Sequence, residues 1–409
     1  MSTAASAATL RQLCIRSTNV KACRQAGWIE AEEAAQGMVQ RRARHSKPTA
    51  RTAALRQHAG RARRIGRAGV AAMAPPPRET LPGFDPDYAG IADYAIRSTE
   101  RIGDDRAVGL IYSHYKHDVV VHAPLGVTRS RDEVIADTLR ALAAFPDRRT
   151  SDHAVAWSSD GAGGFYTSHR FVSRGRNTGW SDLAPPTGRK ASWLTVMDSV
   201  VHENRVCEAW IVRDNLAIVL ELGLEPRAVA QKLAAHKIAR GETLPGFGDV
   251  DRLPGQFPPS ERCNGAIPGD EAVQHVCQAL HDLWNRRRFD AADAAYARGA
   301  LAHLPGLRRA RGPKAIGDAV IAVLAMMSNA GMIIHRACAV SERGGGRLVA
   351  VRWTLDGHHD GPGRLGEPTG KRLTLMGMTH AVVRGSRIIE EWTVFDELSL
   401  LVQLELPSQ

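Results

Sequence analysis

The chain has 409 residues, of which 44% are apolar and 24% charged, a composition typical of a folded protein with two or three domains. No run of about 18 apolar residues occurs, so the sequence predicts no transmembrane helix and no membrane partner. The net charge of +11 would suit nucleic-acid binding, but residues 1–72 hold 14 of the 54 basic and only 3 of the 43 acidic residues. The remainder is neutral, and we therefore expect no nucleic-acid partner.

Residues 1–72 read as a leader rich in Ala and Arg. The segment lacks the apolar core of a secretory signal, and a disordered or non-native leader is the favoured interpretation. An organelle transit peptide, a basic arm that touches nucleic acid or membrane, and a true start at Met73 are the alternatives. None of the six cysteines forms a CxxC pair. We expect reduced thiols and a cytoplasmic protein.

After the leader, apolar spacing predicts a helix over 91–115, and Ser130 begins a second helix with Glu133 at the capping-box position. Alternating segments then predict strands at 165–172, 192–201 and 205–212, followed by a short helix from Asn215. The later part of the chain repeats this plan. Its helices are predicted over 270–286, over 313–327 and from Glu397, and its strands at 332–340, 347–355, 373–383 and 387–394. Helices that precede a run of strands indicate an α+β fold.

The strongest signal in the sequence is an internal repeat. Residues 186–189 (PTGR) and 368–371 (PTGK) are separated by 182 positions, and the same offset places 208–214 on 390–396 without a gap. Upstream, an offset of 181 places His122 on His303. Short lead-ins at 79–84 and 242–247 also match. The repeat predicts a leader at 1–72, domains at 80–238 and 262–409, and a linker at 239–261.

Each copy closes its last predicted hairpin with an E-x-W-x-x-x-D pattern and then Leu-rich residues. This arrangement resembles the SnoaL-like branch of the nuclear-transport-factor-2 superfamily, over about 300 of the 409 residues. The resemblance implies two cone-shaped α+β domains, each with N-terminal helices packed on a curved antiparallel sheet. The best-known members are polyketide cyclases that use an aspartate base without a metal. Isomerases, hydrolases and domains that only bind ligands share the fold, so the fold alone does not give the chemistry.

Asp214 and Asp396 match the position of the family's catalytic aspartate. A carboxylate can deprotonate carbon next to a carbonyl if an apolar pocket raises its pKa. Each aspartate also stands where a strand ends and a helix begins, and an N-cap role, which alone would explain it, is the favoured interpretation.

Further candidates stand at equivalent places in the two copies, and His380 departs from the repeat because the first copy has Asp198 there. His122 and His303 are candidate catalytic partners of the base or structural histidines. The candidates for substrate binding are Trp210, Trp392, Arg170, Arg352 and His380, with core packing or a solvated strand face as the alternatives.

The resemblance thus implies an enzyme that cyclises or isomerises a small hydrophobic carbonyl compound by means of an Asp base. The alternative is a non-catalytic ligand-binding or assembly module in which the two domains pair within one chain. No Walker, GxSxG, HExxH or EF-hand motif occurs. We therefore expect no cofactor and no metal.

Overall fold

The computed structural model describes residues 87–159, 163–242, 270–342 and 344–407. The predicted leader, the alternative start at Met73, the lead-in at 79–84 and most of the linker lie outside the described residues. Both predicted domains fall within one compact unit, Ala74–Gln409, and their exact boundaries stay predictions. Within the four described ranges, no helix is both long enough and apolar enough to cross a membrane.

The first domain begins with two helices, has a third helix between its second and third strands, and ends with two further helices after its sixth strand. Its helices are α1 (Ile91–Gly103), α2 (Ile111–His114), α3 (Arg131–Ala144), α4 (Asn215–Glu221) and α5 (Pro226–Ala239). Its strands are β1 (Tyr115–Ala123), β2 (Gly126–Thr128), β3 (Arg149–Ser159), β4 (Gly164–Arg176), β5 (Lys190–His202) and β6 (Arg205–Arg213).

The second domain repeats this order. Its helices are α6 (Glu271–Leu280), which continues into a π-helical turn (His281–Asn285), α7 (Ala292–Ala295), α8 (Pro313–Leu324) and α9 (Glu397–Glu405). Its strands are β7 (Tyr296–Leu304), β8 (Arg308–Arg311), β9 (Gly331–Ser341), β10 (Arg347–His358), β11 (Arg372–Arg384) and β12 (Arg387–Phe395).

The two sheets have the same strand order, β2-β1-β6-β5-β4-β3 in the first domain and β8-β7-β12-β11-β10-β9 in the second. Neighbouring strands are antiparallel except for β1 with β6 and β7 with β12, which are parallel. The α+β fold class is confirmed, but each sheet is mixed rather than purely antiparallel. The parallel pair arises because nearly the whole domain separates the first strand from the last, and such a long connection permits parallel pairing.

Each sheet has a helix-covered face and an inter-domain face. On the helix-covered face of the second sheet, Trp353 and Ala381 share one buried cluster with Val276 of α6 and Ile316 of α8. On the inter-domain face, mixed clusters contain residues of both sheets, for example Tyr166 with Leu348 and Val196 with Met378. Because both faces of the central strands are covered, β10 and β11 are buried along nearly their whole length, as in doubly covered sheets.

The predicted elements differ from the observed ones near the start of each domain, and strand β3 and helix α5 were also not predicted. The first helix is interrupted after Gly103, because Arg106 takes a left-handed backbone conformation with φ of 59° before a 3₁₀ turn. Strand β1 was not predicted, since its first half carries exposed polar residues that break the alternation. Helix α3 begins as predicted, with Ser130 Oγ accepting from the Glu133 N–H.

Candidate functional site

The residues that the sequence singled out lie mainly on the inter-domain face. In the first domain the His122 ring stacks on the Trp210 indole with centroids 5.2 Å apart. His122 Nε2 also lies 2.8 Å from Glu208 Oε1, so a carboxylate holds the imidazole in place. Neither His122 nor Trp210 belongs to the helix-covered side where a cone would hold a ligand.

The second domain repeats this arrangement. The His303 ring stacks on Trp392 with centroids 5.1 Å apart and an interplanar angle of 2°. His303 Nε2 lies 2.9 Å from Glu390 Oε1. The repeat predicts that His122 and His303 are equivalent, and the two histidines indeed make the same contacts with a tryptophan and a glutamate.

The two candidate arginines reach across to the other domain. The guanidinium of Arg352 lies 3.7 Å from the centroid of the Trp210 ring, and that of Arg170 lies 3.8 Å from Trp392. A cation over an indole face is attracted by the ring quadrupole, most strongly when both are shielded from water. Each indole thus contacts a histidine of its own domain and an arginine of the other.

Asp198 and His380 stand at equivalent positions on β5 and β11, but their surroundings differ. Asp198 Oδ2 lies 3.3 Å from Arg352 Nε and accepts a hydrogen bond from the Tyr166 hydroxyl. Burial raises the pKa of Asp198, and Arg352 opposes the rise. His380 is fully buried 2.9 Å from Ser168 Oγ of the other domain, and burial lowers its pKa well below the ordinary value. His380 is therefore a neutral hydrogen-bonding group between the sheets.

Asp214 and Asp396 are helix caps. Asp214 Oδ1 accepts from the Ala217 N–H at 3.0 Å at the start of α4. Asp396 Oδ1 accepts from the Leu398 N–H at 3.2 Å at the start of α9. Both carboxyl groups are buried, and this capping explains why an aspartate follows each final strand.

The second oxygen of each cap is bonded to the opposite domain. Asp214 Oδ2 accepts from the Gly306 N–H at 2.8 Å, and Asp396 Oδ2 accepts from Asn215 Nδ2 at 2.7 Å. Burial raises the pKa of Asp214 to about 6 and that of Asp396 to about 7. Neither aspartate belongs to the lining of the cavity described next, and the geometry supports a structural role for both.

A cavity of about 110 Å³ lies on the helix-covered side of the second sheet. Its wall is mostly apolar and includes Leu283, Trp284, Ile316, Val320 and Phe395. The charged residues of the lining are Glu391, Arg308 and Arg364. Glu391 is 5% exposed, whereas the two arginine side chains are 37% and 30% exposed, so the arginines mark the mouth and Glu391 the interior.

Glu391 is a buried carboxyl with two hydroxyl donors. The Tyr296 hydroxyl donates to Glu391 Oε2 at 2.5 Å, and Thr393 Oγ1 donates to Oε1 at 2.6 Å. Behind them Trp353 Nε1 donates to Thr379 Oγ1 at 3.0 Å, and Thr379 shares a hydrogen bond with Thr393. Burial raises the pKa of Glu391, although the bonds from Thr393 and Tyr296 oppose the rise.

The sequence reasoning missed Glu391, although a signal for it was present. Alternation along β12 sends Glu391 to the face opposite Trp392, which places a lone carboxyl among apolar neighbours. The equivalent residue of the first copy is Ala209, and Ile211 likewise stands where the second copy has Thr393. The available signal was that Glu391 is charged in the second copy only, at a strand position whose side chain points to the core.

The first domain carries a different polar group on its helix-covered side. His169 Nε2 lies 3.0 Å from His153 Nδ1, and Thr99 Oγ1 lies 3.3 Å from His169 Nδ1. Burial lowers the pKa of His169 to about 3, so the ring stays neutral. Across the described parts of both domains, no group of three or more His, Cys, Asp and Glu side chains is placed to hold a metal ion.

Residues 274–404 match the family model described as SnoaL-like polyketide cyclase. The second domain is a SnoaL-like domain. The match spans α6 to α9 and includes the cavity, Glu391 and both mouth arginines. The first domain lies outside this match but shares the strand order of the SnoaL-like domain.

Several solved structures are similar to part of this chain. AclR from Streptomyces galilaeus, described as a hydroxylase, is 22% identical over 32% of this chain and 92% of its own, with a TM-score of 0.28. IdmH from Streptomyces antibioticus, described as a polyketide cyclase, is 22% identical over 32% and 99%, with a TM-score of 0.29. A protein from Jannaschia sp., described as a SnoaL-like polyketide cyclase, is 16% identical over 35% and 99%, with a TM-score of 0.31. A search of curated proteins gave no match.

Proposed function

We propose that the SnoaL-like domain binds a small apolar carbonyl compound in its cavity and that Glu391 acts there as the general base. The observation that carries this proposal is a buried carboxyl inside a mostly apolar lining. The C–H electron pair next to the carbonyl would pass into an enolate while the proton passes to Glu391. Aldol closure or isomerisation then returns a proton, so the carboxylate is regenerated.

The environment of Glu391 suits this task. A carboxylate base is most effective when its pKa moves towards neutral, and burial moves the pKa of Glu391 in that direction. Tyr296 and Thr393 fix the orientation of both carboxyl oxygens, and their hydrogen bonds favour the ionised form.

Asp214 and Asp396 are proposed here as caps and domain connectors rather than as bases. Each of their four carboxyl oxygens already accepts a hydrogen bond from an N–H donor. Glu391 also accepts two hydrogen bonds, so the deciding difference is position: Glu391 lines the cavity, whereas neither aspartate does. Replacement by Asn keeps the capping oxygen and removes the proton acceptor.

The test uses 5-nitrobenzisoxazole, a carbon acid whose ring opens to a coloured phenolate when a base removes its proton. We expect the protein to accelerate this ring opening, and Glu391→Gln to reduce the acceleration by about 100-fold or more. The exposed residue Glu271 provides the matched control Glu271→Gln, which should leave the rate unchanged. Full activity in Glu391→Gln would show that Glu391 is not the general base. Loss of activity in Asp396→Asn instead would assign the base to Asp396.

We also propose that the two domains act as an intramolecular pair in solution. The support is reciprocal: Arg352 contacts Trp210, and Arg170 contacts Trp392. An interface in which equivalent residues exchange equivalent contacts is typical of twofold dimers. Limited proteolysis in the linker should leave the two fragments associated on size-exclusion chromatography, and separation of the fragments would contradict the pairing.

A further inference from the structure

Two arginine side chains stand at the mouth of the cavity in the SnoaL-like domain. Arg308 stands at the start of β8, and Arg364 stands on the loop between β10 and β11. Both contact the same carboxylate, Glu397, with Arg364 Nε donating to Glu397 Oε1 at 2.6 Å and Arg308 donating to Oε2. Glu397 is buried, and both of these partly exposed cations form their ion pair with this one carboxylate.

The guanidinium groups keep donors available for a further partner. A guanidinium carries five N–H donors in a planar fork that matches a carboxylate. Among the described residues, the only hydrogen bond of Arg364 is the one from Nε to Glu397. Its two terminal nitrogens therefore remain for an anion at the mouth.

Resting on the proposed function, we propose that the ligand of this cavity is an amphipathic carboxylate. Its apolar, carbonyl-bearing body would lie against Ile316 and Val320, near Glu391. Its carboxylate would lie at the mouth and accept hydrogen bonds from Arg364 and Arg308. This arrangement places one end of the ligand and thereby orients the acidic carbon towards the base.

The cationic mouth belongs to the second domain alone. By the offset of 182, Arg364 corresponds to Asp182 of the first copy, which reverses the charge. Arg308 pairs with Leu304 across the first hairpin of the second domain, and Leu304 is equivalent to Ala123 of the first domain. The residue that pairs with Ala123 is Gly126, so a glycine takes the place of Arg308 in the first domain. The copy that carries the buried Glu391 is thus also the copy that carries the two arginines.

The first domain holds the two loops that carry these arginines. Asp214 Oδ2 accepts from the Gly306 N–H at 2.8 Å, two residues before Arg308. Arg227 of α5 donates to the Leu365 carbonyl at 2.7 Å, next to Arg364. Both cations are therefore placed before a ligand arrives, which reduces the entropic cost of binding.

The test measures binding of 2-naphthoate and its neutral match 2-naphthamide to the full chain by calorimetry. We expect the wild-type protein to bind the carboxylate about tenfold more tightly than the amide. Arg364→Gln should remove this preference and leave the affinity for the amide unchanged. The variant keeps Arg308 as partner of Glu397, so it should fold. Arg298→Gln, at an exposed arginine of the same domain, is the matched control and should retain the preference.

Equal affinities for carboxylate and amide in the wild-type protein would overturn the inference, and so would a preference that survives in Arg364→Gln. The proposed function is scored separately, by the ring opening of neutral 5-nitrobenzisoxazole. If Glu391→Gln abolishes that reaction while 2-naphthoate shows no preference, the inference alone fails. If the carboxylate preference depends on Arg364 while Glu391→Gln keeps full activity, the assignment of the base alone fails.

Discussion

Arg352 of the second domain lies 3.7 Å from the indole centroid of Trp210 in the first, and it also pairs with Asp198 of that domain. The equivalent Arg170 has the same contact with Trp392. At the position equivalent to Asp198, however, the second domain has His380 instead of a carboxylate. One interface thus contains two copies of an arginine contact that differ in charge balance. This difference leads to the first prediction.

Arg352→Met should destabilise the protein more than Arg170→Met does. Removal of Arg352 leaves the buried Asp198 without its ion-pair partner, a change that costs on the order of 3 kcal/mol. Removal of Arg170 loses the contact with Trp392, worth about 1–2 kcal/mol, and a longer-range attraction to Glu390 and Asp152. Urea unfolding of both variants against wild type measures the difference. Equal losses would show that the Asp198 ion pair does not contribute.

Asp396 should make stability depend on pH. Its pKa is about 7 in the folded protein against an ordinary value of 3.8, so its favourable contribution is complete below about pH 3.8 and is lost as the pH rises through 7. Asp396→Asn keeps an oxygen for the cap but cannot ionise. The unfolding free energy of wild type minus that of Asp396→Asn should therefore fall between pH 4 and pH 8, by about 1.4 kcal/mol for each unit of pKa shift. A difference that stays constant with pH would contradict the raised pKa.

The proton-abstraction rate should report the pKa of Glu391. Because burial raises this pKa above 4.5, the rate should fall with decreasing pH at a higher pH than for an exposed glutamate. Replacing Tyr296 by Phe removes the donor that favours the carboxylate, so the midpoint of the pH–rate profile should move to still higher pH. Thr99→Val, in the other domain, serves as the control. A midpoint in Tyr296→Phe that moves to lower pH would exclude this role for the tyrosine.

Gly377→Ala should perturb the cavity through Trp353. A methyl group at Gly377 would come within 2.2 Å of the Trp353 ring, which lies opposite it on the neighbouring strand. Overpacking of this kind costs about 1–3 kcal/mol, and moving the ring would weaken its bond to Thr379 and the contacts behind Glu391. Gly299→Ala has no neighbour within 4 Å and is the matched control. The melting temperature and the affinity for 2-naphthamide should both decrease in Gly377→Ala and stay unchanged in Gly299→Ala.

The sequence predicted the fold well because the repeat and the strand patterns are strong. The offset that equates His122 with His303 also equates their stacking contacts, and the caps at Asp214 and Asp396 follow from local chemistry. The assignment of faces was not accessible in the same way. Alternation states that Trp392 and Glu391 face opposite sides, but which side meets helices and which meets the other domain is decided by tertiary packing.

The exchange of contacts between Arg170 and Trp392, and between Arg352 and Trp210, also bears on how this protein can evolve. In a homodimer of identical subunits the two contacts would be encoded once, and any mutation would alter both sides together. Here each side has its own codons. The substitution that distinguishes Glu391 from Ala209 could therefore arise in one half while the other half preserved the interface, and the two halves are open to separate selection.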